Sequence, residues 1–193
     1  MLFSLFETIA IVNGEIQHLA LHQQRYIDSL KQFYAKKAIN VHDFAQVIQI
    51  QTALEQTQYA PLIRCRIDYN ATELQVQYFA YQRKTYRTFQ PVICDDIEYG
   101  LKYADRTPLA QLLQQKGDCD EIMIIKQGKV TDCTIGNLVF RRGKHWFTPD
   151  TPLLAGTQRT KLLAENKIQQ CTILLEDIAT FDEIRLINAL NPL

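Results

Sequence analysis

No apolar run in this chain approaches the ~18 residues that a membrane-spanning helix needs. The opening Met1-Leu2-Phe3-Ser4-Leu5-Phe6-Glu7 is apolar but has neither a basic leader nor a long core, so it reads as a strand and not as a secretory signal. Charge of one sign is missing too. Lys and Arg number 21 against 21 Asp and Glu, so no global field draws the chain to nucleic acid or to an anionic membrane, although local clusters remain open. The five cysteines (Cys65, Cys94, Cys119, Cys133, Cys171) are odd in number and scattered, without a C-x-x-C pair. That pattern argues against a disulfide framework or zinc knuckle and for reduced thiols in the cytoplasm. His18, His42 and His145 share no ligand spacing with any cysteine, so no metal is expected. Internal repeats and low-complexity segments are absent as well.

What is present is an ordinary globular composition: 193 residues, 47% hydrophobic and 22% charged. By the usual ~100–200 residues per domain this is one large domain or two small ones. Phe6–Val12 and Glu15–His18 flank Asn13-Gly14, a strong hairpin signal because both turn residues tolerate positive φ. Leu19 to Lys36 has helical spacing, and His42 to Gln56 reads as a second helix. Two strands follow, Leu62–Tyr69 and Leu74–Gln82, with Ile63, Cys65 and Ile67 on the buried face and Arg64, Arg66 and Asp68 on the wet one. The charged run Arg83-Lys84-Thr85-Tyr86-Arg87 reads as an interdomain connection or as a solvated strand end.

The second half alternates differently. Pro91–Cys94 reads as a strand, and Thr107-Pro108 opens a helix to about Lys116, since proline suits the first helical turn. Hairpins are expected around Gln127-Gly128 and Arg142-Gly143-Lys144. Gly156 to Glu165 reads as a helix, and Cys171–Leu175 and Glu183–Ile187 as strands. The expected fold class is α+β, with an N-terminal domain over residues 1–86 and a β-rich one over 87–193.

One stretch carries most of the chemistry. It contains Gly100-Leu101-Lys102-Tyr103-Ala104-Asp105-Arg106, then Val130-Thr131-Asp132-Cys133-Thr134-Ile135-Gly136-Asn137, and then Leu154-Ala155-Gly156-Thr157-Gln158-Arg159. Upstream stands His22-Gln23-Gln24-Arg25, and the chain ends near Asn188-Ala189-Leu190. Taken singly, Lys102 is a surface lysine, Asp132 a turn aspartate and Arg25 half of a helix salt bridge. Cys133 reads as a small packing residue and His22 as a packed or capping one. In this order and spacing the set resembles the class IV aminotransferases, the fold-type IV enzymes of pyridoxal 5′-phosphate (PLP), over nearly the whole chain.

The resemblance implies a small N-terminal α/β sandwich and a barrel-like C-terminal domain, with PLP in the cleft between them. It implies that Lys102 bonds the cofactor, that Asp132 pairs with its pyridine nitrogen, and that Asn137, Asn188 and Ala189 add contacts. Arg25 and the Gly156-Thr157-Gln158 helix start would hold the phosphate. Arg159 and Tyr103 would order the cleft or meet the substrate. The implied substrate is a small amino compound and the implied assembly a homodimer. The match is nearest to the lyase branch, which eliminates pyruvate from 4-amino-4-deoxychorismate to give 4-aminobenzoate on the way to folate. Transamination of a small branched-chain or D-amino acid is the alternative, and a non-catalytic relative is the second. Two departures motivate the last: aspartate stands where the family has glutamate, and a glycine-bearing segment that the family carries before Phe6 has no counterpart here.

Overall fold

The computed structural model describes residues 2–193 and divides into two compact units. Among the described residues the first comprises residues 2–83 with Leu101–Asp105, and the second Lys84–Gly100 with Arg106–Leu193. The change of unit thus falls between Arg83 and Lys84, inside the charged run, and a short later segment rejoins the first unit.

The first unit is built on a four-stranded antiparallel sheet in the order β2-β1-β3-β4. Its strands are β1 (Leu5–Val12), β2 (Glu15–Ile16), β3 (Leu62–Tyr69) and β4 (Leu74–Ala80). Asn13 (φ 49°) and Gly14 (φ 82°) make the β1–β2 turn, both left-handed as a two-residue hairpin loop requires. Helix α1 (Leu19–Phe33) supplies Tyr26 and Leu30 to a core shared with Leu5, Ile9, Ile11, Ile63, Cys65 and Ile67. Tyr26 stacks edge-on against Tyr69, ring centres 4.8 Å apart, and lies 4.6 Å from Phe44.

The expected single helix over His42–Gln56 is two short ones, α2 (Phe44–Val47) and α3 (Ile50–Gln56). Between them Ile48 and Gln49 are extended. Ile48 turns into the core, and the Gln49 N–H donates to the Tyr78 hydroxyl at 2.8 Å. The β-branched Val47, Ile48 and Ile50 weaken helix continuity at this point, and the strand-borne tyrosine supplies a better partner.

The second unit holds β5 (Phe89–Ile93), α4 (Thr107–Leu113), β6 (Glu121–Lys126), β7 (Lys129–Val130), β8 (Asn137–Arg142), β9 (His145–Pro149), α5 (Thr157–Ala164), β10 (Gln169–Cys171) and β11 (Glu183–Ile187). Its strands make two open sheets, β5-β6-β7 and β10-β9-β8-β11. Among the described residues no sheet closes, so the barrel-like part of the expectation is not confirmed and two open sheets are what is seen. The physical reason is that β7 is only two residues long. The chain then leaves the ladder and returns through single bridges, Lys129 to Leu174 and Asp132 to Asn137. The late strand also shifts. β10 runs parallel to β9, and Leu175–Thr180 is a 3-10 turn, because the Asp177 carboxylate accepts from the Leu174 N–H at 3.0 Å and bends the backbone there.

Candidate active site

Lys102 belongs to the first unit because its segment runs along the start of β1. The Phe6 N–H donates to the Lys102 carbonyl at 3.0 Å and the Ala104 N–H to the Ser4 carbonyl at 2.9 Å. The Lys102 ammonium lies 4.6 Å from the centre of the Phe6 ring, and the Arg66 guanidinium lies 4.1 Å from the same centre. Two cations share one aromatic ring, an attractive arrangement for each. Tyr103, next along, bridges to Leu5, packs against the core and lies across from the Phe33 ring, centres 6.1 Å apart.

Arg25 projects from α1 onto Glu7 of β1. Its Nε donates to Oε1 at 2.8 Å and a terminal nitrogen to Oε2 at 2.6 Å, a two-pronged fork on one carboxylate. Buried His22 adds a bond from Nδ1 to Oε2 at 2.8 Å. Burial raises the Glu7 pKa, but the Arg25 charge and the bonds from His22 and Arg25 outweigh it and hold the carboxyl at about 2. Burial lowers the His22 pKa, against Glu7 and with help from Arg25 and Lys102, which favours the neutral ring. Glu7 escaped the sequence reading. It sits mid-strand in an apolar run, and the signal for it was that Leu5, Glu7, Ile9 and Ile11 share the buried face.

In the second unit Asp132 is buried and accepts only N–H donors. Asn137 Nδ2 reaches Oδ1 at 2.7 Å and the Leu154 N–H reaches Oδ2 at 2.9 Å. Burial pushes its pKa up to about 6, although the Leu154 and Asn137 bonds and the Arg159 charge pull the other way. Asn137 also donates to the Leu154 carbonyl at 2.9 Å and accepts from the Gly156 N–H at 3.1 Å. Gly156 has to be glycine here, since a Cβ would stand 2.1 Å from Asn137 Oδ1.

Gly156 is the N-cap of α5 and, as a glycine, offers no capping side chain of its own; Thr157, Gln158 and Arg159 form the first turn. All three are buried. The Arg159 guanidinium points back into its own unit, donating to the Pro149 carbonyl at 2.9 Å and thereby anchoring α5 to the end of β9. Asn188 is likewise engaged locally. It donates to the Ile135 carbonyl at 3.1 Å and accepts from the Leu190 and Asn191 N–H groups, each at 2.9 Å. Ala189, half-buried, lies in the turn that these bonds close. Cys133 is buried with its thiol on the Gly136 carbonyl at 3.1 Å, and burial raises its pKa well above the usual value.

Three comparisons bear on this arrangement. The amino-transferase class IV family matches residues 100–193. An uncharacterized protein of Haemophilus influenzae Rd is 62% identical over 192 residues, with 100% of both chains covered. A solved structure from Haemophilus somnus 129PT, provisionally named 4-amino-4-deoxychorismate lyase, is 55% identical with a TM-score of 0.94, over 100% of this chain and 99% of that one. A PLP-bound hypothetical aminotransferase of Mycobacterium tuberculosis shares the fold at 13% identity and a TM-score of 0.81, over 98% of this chain and 78% of that one.

Proposed function

The chain belongs to the class IV aminotransferase family, whose members depend on PLP, and from that premise we propose that it is a PLP-dependent lyase eliminating pyruvate from 4-amino-4-deoxychorismate. The observation that carries the reading is the full-length, 55% identical likeness to the Haemophilus somnus protein of that name. The residues present fit the cofactor. Asp132 is a buried carboxylate that meets N–H donors and, among the described residues, no cation at ion-pair distance. Its roughly four lone-pair sites are not all used by those donors, so a protonated ring nitrogen has a place to bond. The start of α5, behind a glycine N-cap, suits a phosphate dianion through the helix dipole.

When bound, PLP supplies an electron sink for negative charge at the carbon next to the substrate amine. The chain's own residues do the rest. Lys102 holds the cofactor through its amine, and then carries the proton to and from that carbon as acid and base. Asp132 keeps its charge toward the pyridine nitrogen so that this nitrogen stays protonated. Arg25, its guanidinium braced by the two bonds to Glu7, and the first turn of α5 at Thr157 and Gln158 bind the phosphate, while the Gly156 N–H stays with Asn137. Asn188 and Ala189 shape the adjoining turn, and Tyr103 lies beside Lys102 toward the substrate. Homodimerisation is part of the proposal, and a monomer by light scattering at micromolar concentration would remove that part.

The experiment is direct. Purified protein incubated with PLP and dialysed should be yellow, and borohydride followed by peptide mapping should place the pyridoxyl group on Lys102. It should release pyruvate and 4-aminobenzoate from aminodeoxychorismate. Amino-group transfer from an amino acid without pyruvate release would make it an aminotransferase instead. A colourless protein with no adduct would overturn both.

A further inference from the structure

Asn137 was expected to touch the cofactor, but its amide is already occupied. One nitrogen, with two hydrogens, donates to Asp132 Oδ1 at 2.7 Å and to the Leu154 carbonyl at 2.9 Å. Its oxygen accepts from the Gly156 N–H at 3.1 Å. An asparagine amide has two donor hydrogens, so nothing remains to donate to a ligand. The side chain is 4% exposed, and Asp132 and Asn137 also pair as an isolated antiparallel bridge. Asp132 returns a second tie to the same loop through the Leu154 N–H at 2.9 Å. The missing Cβ of Gly156 is the space that Asn137 Oδ1 fills, 2.1 Å from where that carbon would lie.

We propose that Asn137 is a positioning residue that locks Asp132 and the loop entering α5 into one body. The acid for the ring nitrogen and the helix end for the phosphate are then set together and not independently. The inference rests on the cofactor reading above and adds to it a coupling between two anchors of the second unit. Four hydrogen bonds close a ring through Asp132, Asn137, Leu154 and Gly156, so displacing either end moves the other. Buried and mutually satisfied networks of this kind are stiff, and removing one member strands its partners.

Two measurements test it. In the first, the unmodified apoprotein is followed by amide hydrogen exchange with inorganic phosphate or with pyridoxal, which has no phosphate. Each probe alone should slow exchange at both the Leu154 and the Gly156 amides, because each amide is a bond of the ring. Slowing of the Gly156 amide by phosphate alone, with Leu154 unchanged, would overturn the coupling. In the second, Asn137→Asp keeps the volume and the acceptor but loses both donors. Its Kd for pyridoxal and for inorganic phosphate should both rise at least about tenfold, equivalent to about 1.4 kcal/mol each. A rise for one probe only would make Asn137 a contact of that end alone and end the proposal. Binding of PLP by the unmodified protein, measured alongside, separates this failure from failure of the cofactor reading itself.

Discussion

At the scale of single residues, two buried carboxylates respond to acid in opposite directions. Glu7 is held at about 2 against its ordinary 4.5, since burial, which raises it, is outweighed by Arg25 and His22. Its contribution to stability is therefore complete above about pH 4.5 and is lost as the pH falls toward 2. Glu7→Gln leaves Arg25 without its counter-charge and should cost about 3 kcal/mol at pH 7. Urea unfolding of both proteins should show that gap closing as the pH approaches 2, and an unchanged gap would mean that Glu7 is not the titrating group. Asp132 runs the other way. Burial raises its pKa from 3.8 to about 6, so the folded apoprotein keeps a proton that the unfolded chain releases, and stability falls as pH rises through that window. Asp132→Asn removes this slope. It also turns one of two acceptors into a donor facing an N–H, which costs about 1–3 kcal/mol. The variant should be the less stable protein at pH 4, with the difference narrowing by pH 7; a pH-independent difference would contradict the burial argument. Neither behaviour could be read from the chain, because Glu7 looks like any strand acid until the buried face of β1 is known.

At the scale of elements, the local signals carried well where the chemistry is local. The Asn13-Gly14 and Gln127-Gly128 turns stand where their positive φ values require, and antiparallel pairs flank both. The helix over His42–Gln56 broke because a partner far along the chain, the Tyr78 hydroxyl, captures the Gln49 N–H. The barrel, implied by the family resemblance alone, is not confirmed, and no local pattern bears on it because closure depends on pairings between distant strands. Gly136 illustrates how tightly such distant segments meet. A Cβ there would stand 2.4 Å from the Ile187 carbonyl oxygen, at the end of β11. A backbone oxygen in a paired strand cannot rotate aside, so β8 and β11 would have to separate locally. Gly136→Ala should destabilise the protein by about 1–3 kcal/mol, read as a lower urea midpoint with unchanged slope. A neutral result would mean that the approach relaxes without loss of the ladder.

At the scale of the whole molecule, the order of the motif residues along the chain pointed to the family, but the make-up of the first unit was not legible in it. A boundary near residue 86 treats each domain as one continuous segment. The structure gives the first unit a second piece, Leu101–Asp105. Leu101 is buried in that unit's core, and the Lys102 carbonyl and Ala104 N–H pair with Phe6 and Ser4 at the start of β1. The segment that carries the candidate lysine is therefore also an edge of the first unit's structure. A fragment of residues 1–83 keeps its sheet and helices but exposes the apolar surface that Leu101 covers and leaves the Phe6 N–H and Ser4 carbonyl without protein partners. Burying one leucine side chain contributes about 1.5–3 kcal/mol, and the two backbone bonds add about 0.5–1.5 kcal/mol each. Against the total of about 5–15 kcal/mol typical of a domain, that is enough to make the fragment marginal. Linking residues 100–106 to residue 83 through a flexible glycine-serine spacer should restore a cooperative transition, with a higher urea midpoint than the bare fragment. Equal midpoints would show that the Lys102 segment only rests on the first unit and does not help to hold it together.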